Sequence, residues 1–246
     1  MKNYMNGEMY KLFRRKSVWF FLAILVVILF VMRMVLPFLG LTQDMVLRFS
    51  YLIMLGIHAL ILGFIPLFTD DIKNGTLKNY VTTDIRVKQI FRGKIVVQLV
   101  SAVFLLVFML PLLLYAISAL PVQEEYMGDV WELAGKILLS VPSFITSLFV
   151  ADYLALIIKN EIVICLAYYY GYIQVFALMV FAGCNISEGL ACNLILPIQL
   201  GKMYSEKLSV NNGGITFGIG CVYCLAVWLL LNNQLDKKEK NEDCYL

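Results

Sequence analysis

Thr69-Asp-Asp-Ile-Lys-Asn-Gly-Thr-Leu-Lys-Asn-Tyr-Val-Thr-Thr-Asp-Ile-Arg-Val-Lys-Gln-Ile-Phe-Arg-Gly-Lys94 is a charged stretch set between two long apolar runs. It carries six of the chain's 20 Lys and Arg residues. The sequence on either side reads as membrane. A basic connection between two spans belongs on the cytoplasmic side, and one this long can dock a cytosolic partner.

Composition agrees. The chain has 246 residues, of which 61% are hydrophobic and only 15% charged. Soluble domains carry about 45–50% apolar and about 25% charged residues. The net charge of +3 is small and no basic run is dense, which argues against a nucleic-acid partner.

A helix needs about 20 apolar residues to cross the hydrocarbon core. Six stretches meet this: Val18–Leu39, Phe49–Phe68, Ile95–Ala119, Ile137–Ile158, Ile162–Gly183 and Gly214–Leu231. The runs are continuous rather than alternating, so the fold class expected is an all-α polytopic membrane protein with six transmembrane helices, forming a single transmembrane domain over residues 1–246. The first run is too long for a signal-peptide core and has no small-residue cleavage site after it, so it reads as a retained helix. With both termini inside, fifteen Lys and Arg fall on the inner side. Five fall outside: Arg33, Arg48, Lys136, Lys202 and Lys207. That bias sets the expected topology.

The parts outside the spans are small. Residues 1–17 place Tyr4, Met5, Met9, Leu12 and Phe13 near helical spacing beside basic residues, an amphipathic helix for the inner surface. Residues 184–212 form a long outer connection, with room for short helices dipping into the outer leaflet. Residues 235–246 are of mixed charge and read as a disordered cytoplasmic tail.

Enzyme chemistry finds no constellation. His58 is the one histidine and lies mid-span, so a two-histidine zinc site cannot be built. Neither a phosphate-binding Gly-x-x-x-x-Gly-Lys loop nor a Gly-x-Ser-x-Gly elbow occurs. Cys221 and Cys224 have metal-like spacing but sit inside a span, where they read as packing residues. Cys184 and Cys192 fall on one side and are a candidate disulfide. Three polar residues within spans stand out as a candidate substrate pathway: His58, Gln174 and Asp152. An intramembrane carboxylate must face protein or water. Asp152 lies about two turns from Lys159, so a structural pair is the competing reading, as helix–helix hydrogen bonding is for His58 and Gln174. Tyr168-Tyr-Tyr-Gly-Tyr172 reads as anchoring and packing.

The segment Asp71-Ile-Lys-Asn-Gly-Thr-Leu-Lys-Asn-Tyr-Val, followed by Arg86-Val-Lys-Gln-Ile-Phe-Arg-Gly-Lys94, resembles the permease subunits of ABC-2 type transporters. Gly75-Thr76-Leu77 and Lys94 match that pattern, and Asp71 stands where the family usually has Glu. The opening Glu8-Met-Tyr-Lys-Leu-Phe-Arg-Arg-Lys16 is also similar. The resemblance implies six helices, a surface helix before the first, and a cytoplasmic coupling helix within residues 70–94. It also implies short re-entrant helices between spans five and six.

It further implies a second permease, identical or related, and two copies of a cytosolic ATPase that bind ATP and Mg, with no cofactor on this chain. Small members of this kind export, or give immunity to, membrane-active antimicrobial peptides. Their substrate would enter an apolar cavity between helices one, two and five, in a bacterial cell membrane. In the docking segment Gly75 permits close approach, Thr76 can cap a following helix, and Leu77, Tyr80 and Val81 make an i, i+3, i+4 apolar stripe. An alternative expectation is an ion-gradient-driven carrier or channel that uses Asp152 and His58 and needs no ATPase.

Overall fold

The computed structural model describes residues 16–35, 37–40, 42–65, 87–122, 130–158, 160–185 and 194–242, with residues 7, 10, 14 and 69 singly. Among them every regular element is a helix. In chain order these are α1 (Lys16–Val35), α2 (Gln43–Arg48), α3 (Ser50–Ala59), α4 (Val87–Ile117), α5 (Val130–Leu139), α6 (Val141–Ile157), α7 (Glu161–Leu166), α8 (Gln174–Asn185), α9 (Leu196–Ser205) and α10 (Val210–Glu242). Tight 3-10 turns occupy Pro37–Leu39 and Leu60–Phe64, and a π-helical stretch, Ala167–Ile173, joins α7 to α8.

Three helices are long and apolar enough to cross a bilayer: Lys88–Ile117, Glu161–Cys184 and Val210–Lys237. Trp131–Leu139 and Val141–Ile157, bent by 43°, make a fourth if the pair is one crossing. The described residues therefore give three or four spans where the sequence led us to expect six. The second expected run, Phe49–Phe68, is interrupted. Helix α3 ends at Ala59 and tightens into the 3-10 turn beside Gly63. Ile65 after the turn keeps right-handed helical geometry, and residues 66–68 lie outside the described residues. In the first run α1 is 20 residues long, and the apolar stretch described there is Leu29–Leu39.

The bend between α5 and α6 has a local cause. Pro142 opens α6 and has no N–H to continue the ladder from α5. Ser140 fills the break by donating its hydroxyl to the Lys136 carbonyl at 2.8 Å. Helix α4 tolerates Pro111 and runs on for 31 residues. Helix α10 runs 33 residues to Glu242, so the expected disordered tail is helical through most of its length. Two contacts hold it there. Leu235 is buried, and Asp236 pairs with Lys88 at the foot of α4. Lys and Glu also favour helix over most alternatives.

The core has two apolar layers. One gathers Ile65, Phe91, Ile95, Leu148, Phe149, Ala155, Ile164, Tyr168 and Leu231 around α6. The other gathers Met54, Leu113, Ile117, Leu133, Phe176, Val180, Leu200 and Met203 toward the opposite end. Phe149 and Trp228 bring α6 and α10 together with ring centroids 5.3 Å apart. Helix α9 folds back on α8 through two glycines. A Cβ on Gly183 would run into the backbone of Ile198, and one on Gly201 would run into the backbone of Val180. Small residues let helix backbones approach closely where lipid supplies no hydrophobic drive. The short helix α9, within the expected outer connection, is thus buried against α8. Cys184 is a free thiol in this crossing, donating to the Gly201 carbonyl at 3.4 Å, and Cys192 lies outside the described residues.

Gly183→Ala and Gly201→Ala each should lower stability in detergent by about 1–3 kcal/mol, the cost of overpacking a tight site. Gly218→Ala, where an added Cβ meets open space, should be neutral or raise stability by up to about 1 kcal/mol through helix propensity. Thermal unfolding of the three purified variants checks the contrast.

Candidate functional site

The coupling segment, Asp71, Gly75, Thr76, Leu77, Tyr80 and Val81, lies outside the described residues, and so does Lys159. Of the expected surface helix, positions 7, 10 and 14 are described and helical, with the Arg14 guanidinium donating to the Tyr10 hydroxyl at 3.2 Å. Helix α4 begins inside the charged stretch and continues without a break through its apolar run.

Three sets of contacts hold the foot of α4. Lys88 pairs with Asp236 and Arg92 donates to the Asn232 side chain at 3.2 Å, both on α10. One turn further on, Lys94 and Gln98 share a face of α4, four residues apart. They are 1% and 0% exposed, and they meet Asp152 of α6, also 1% exposed. The Gln98 amide hydrogen-bonds the Asp152 carboxylate, and the Lys94 ammonium supplies the nearby positive charge. Asp152 Oδ2 has no hydrogen-bond partner among the described residues. A buried polar group without a partner costs about 1–3 kcal/mol. With Lys159 outside the described residues, the neighbours seen at Asp152 are these two residues of α4. This arrangement brings together residues 58 positions apart, and no local spacing announces it.

A polar seam continues from Asp152 along α6. Ser147 shares a 2.8 Å hydrogen bond with the Tyr172 hydroxyl. Ser143 lies 3.1 Å from His58 Nε2, whose ring also lies 2.9 Å from the Met54 carbonyl through Nδ1. The Tyr168 hydroxyl donates to the His58 carbonyl at 3.2 Å. Phe144 and Phe176 enclose the imidazole, with centroids 6.0 and 5.0 Å away. His58 is therefore a buried, bonded residue that ties α3 to α6. It and Asp152 are separated along α6 by about 13 Å, from the nine residues between Ser143 and Asp152. Gln174 is not part of the seam. It is exposed on α8, beside the exposed Tyr170 and Leu178. The three residues expected to share a pathway thus occupy three places.

Sequence reasoning missed Ser143 and Ser147. Their four-residue spacing on an otherwise apolar helix was the available signal. The Tyr168–Tyr172 cluster is split in role. Tyr168 is fully buried, Tyr169 and Tyr170 are exposed, and Tyr168 stacks on Tyr172 at 5.4 Å. The π-helical stretch produces this split by shifting the face each ring presents.

The far end of the molecule is closed by a second polar contact. Lys136 Nζ donates to the carbonyls of Glu206 at 2.6 Å and Tyr204 at 3.3 Å, and pairs with Glu132 at 3.0 Å. Glu132 in turn accepts from the Leu208 backbone N–H at 2.6 Å. A lysine on the last carbonyls of α9 suits the negative end of that helix. Burial pushes the Tyr204 phenol above its ordinary value, so it stays neutral while sharing a 3.2 Å bond with Ser140. Among the described residues no group of acidic, Cys or His side chains could hold a metal.

His58→Leu should lower stability by about 1–3 kcal/mol, because it leaves buried polar partners unsatisfied. Gln174→Leu, on an exposed face, should stay within about 0.5 kcal/mol of the parent. Thermal unfolding in one detergent reads both; equal losses would place Gln174 in the interior.

Comparisons of the chain with family models, with curated proteins and with solved structures return no match.

Proposed function

We propose that this chain is the membrane-spanning permease subunit of an ATP-driven exporter of the ABC-2 type. The observation that carries the reading is the construction of α4. One continuous helix runs from the charged segment into the apolar bundle, and its foot is fixed to α6 and α10 by buried and ionic contacts. Such a helix suits the transmission of movement from a docking loop to the membrane bundle. The sequence pattern around Gly75-Thr76-Leu77 supplies the docking element, and the short helix α9 folded on α8 suits the outer connection of such permeases.

In this reading the chain crosses six times, with α1, α3 and its 3-10 extension, α4, the bent α5–α6 pair, α7–α8 and α10 as the crossings. Both termini face the cytoplasm of a bacterial cell. ATP and Mg belong to a separate ATPase, two copies of which dock on a pair of permeases. A hydrophobic or peptide substrate, such as an antimicrobial peptide, is moved outward. The substrate path in this reading is the one the resemblance implies, between helices one, two and five.

Co-purification with the ATPase encoded beside this chain tests the reading. The pair should form a complex with ATP hydrolysis coupled to it. Leu77→Asp combined with Gly75→Pro should abolish the complex while leaving membrane insertion intact. Unchanged co-purification of that variant would remove the docking assignment, and absence of any complex would favour a gradient-driven carrier.

A further inference from the structure

A cavity of about 190 Å³ lies between α1, α3 and α4. Leu29, Ile53, Gly56, Leu106, Met109 and Leu113 are among its walls, and every lining residue is apolar or glycine. On α4 the lining runs from Leu105 to Leu113, a slot about 12 Å long at 1.5 Å per residue. Gly56 borders open space: a Cβ there would meet nothing within 4 Å. An apolar cavity of this size does not hold water. With no polar group on its wall, it can recognise only hydrocarbon.

A cation stands at one end. Arg33 follows Leu29 by one turn on α1, and Tyr115 follows Leu113 on α4. The Arg33 guanidinium lies over the Tyr115 ring at 3.8 Å and donates one N–H to the Tyr115 carbonyl at 2.5 Å. No acidic side chain among the described residues pairs with it. Its orientation is fixed by the ring and the carbonyl, and its remaining N–H groups are left for an anion. Guanidinium matches the oxygens of a phosphate in two-point contact.

We infer that the slot between α1, α3 and α4 binds an anionic membrane lipid, with an acyl chain along Gly56 and its phosphate at Arg33. A bilayer offers such chains at far higher concentration than any exported solute. The Arg33 end of the slot lies near the end of α1, as a headgroup requires. The site is independent of any ATPase, so its test does not share an outcome with the transport reading.

The test uses the full chain purified in detergent and incubated with mixed micelles of phosphatidylglycerol and phosphatidylcholine, with bound lipid read by native mass spectrometry. The parent should retain phosphatidylglycerol over phosphatidylcholine by about tenfold, the size of one charge-assisted contact. Arg33→Gln should bring that ratio close to one, and Arg33→Lys should keep part of it. Gly56→Phe should lose both lipids together, and the smaller Gly56→Leu should do so in part while keeping the parent's unfolding temperature. Equal retention of the two lipids by the parent would overturn the headgroup assignment. Undiminished retention by both folded Gly56 variants would overturn the chain site.

Discussion

A polar cluster buried in an apolar helical bundle is the constraint on which the rest of this structure depends. Lys94 and Gln98 on α4 and Asp152 on α6 lie nearly out of contact with solvent, and Gln98 hydrogen-bonds Asp152. A buried polar group left without a partner costs about 1–3 kcal/mol. The Gln98–Asp152 contact therefore ties α4 to α6. Helix α10 then packs along α6 through Phe149 and Trp228, and its last turns reach back to Lys88 and Arg92. Contacts near the foot of α4 thus join it to both α6 and α10.

The polar and apolar features occupy separate seams. Along α6, Ser143, Ser147 and Asp152 each meet a partner from a different helix, so this face is cross-linked and well defined. Between α1, α3 and α4 the walls are apolar and the packing is open at Gly56. A rigid seam on one side and an adaptable slot on the other suit a bundle in which one group of helices moves against another. The far end is closed by Lys136 on the carbonyls of Tyr204 and Glu206, so each end of the bundle has its own charged fastening.

Much of this was legible in the sequence. Apolar run length and the absence of alternation indicated helices, and α4, α8 and α10 lie where those runs are. The exceptions have physical causes. Phe49–Phe68 is apolar enough to read as one helix, yet α3 tightens into a 3-10 turn at Leu60, a change of helix type that hydropathy does not register. The tail after Leu235 looked disordered by composition, yet it is helical because Asp236 finds Lys88 on a helix distant in sequence. Asp152 was recognisable as a residue that must be covered, but its neighbours Lys94 and Gln98 were not, because they are near only in the fold. Gln174 and His58 look alike as polar residues in apolar runs, and only the face each presents separates an exposed amide from a bonded imidazole.

The most direct measurement is a double-mutant cycle on Lys94→Met and Asp152→Leu, read as thermal unfolding of the purified protein. Either single change should cost about 1–3 kcal/mol, because it leaves a buried polar group without its neighbour, and the double variant should recover part of that loss. Strictly additive losses in the double variant would contradict the claim that this cluster anchors the bundle.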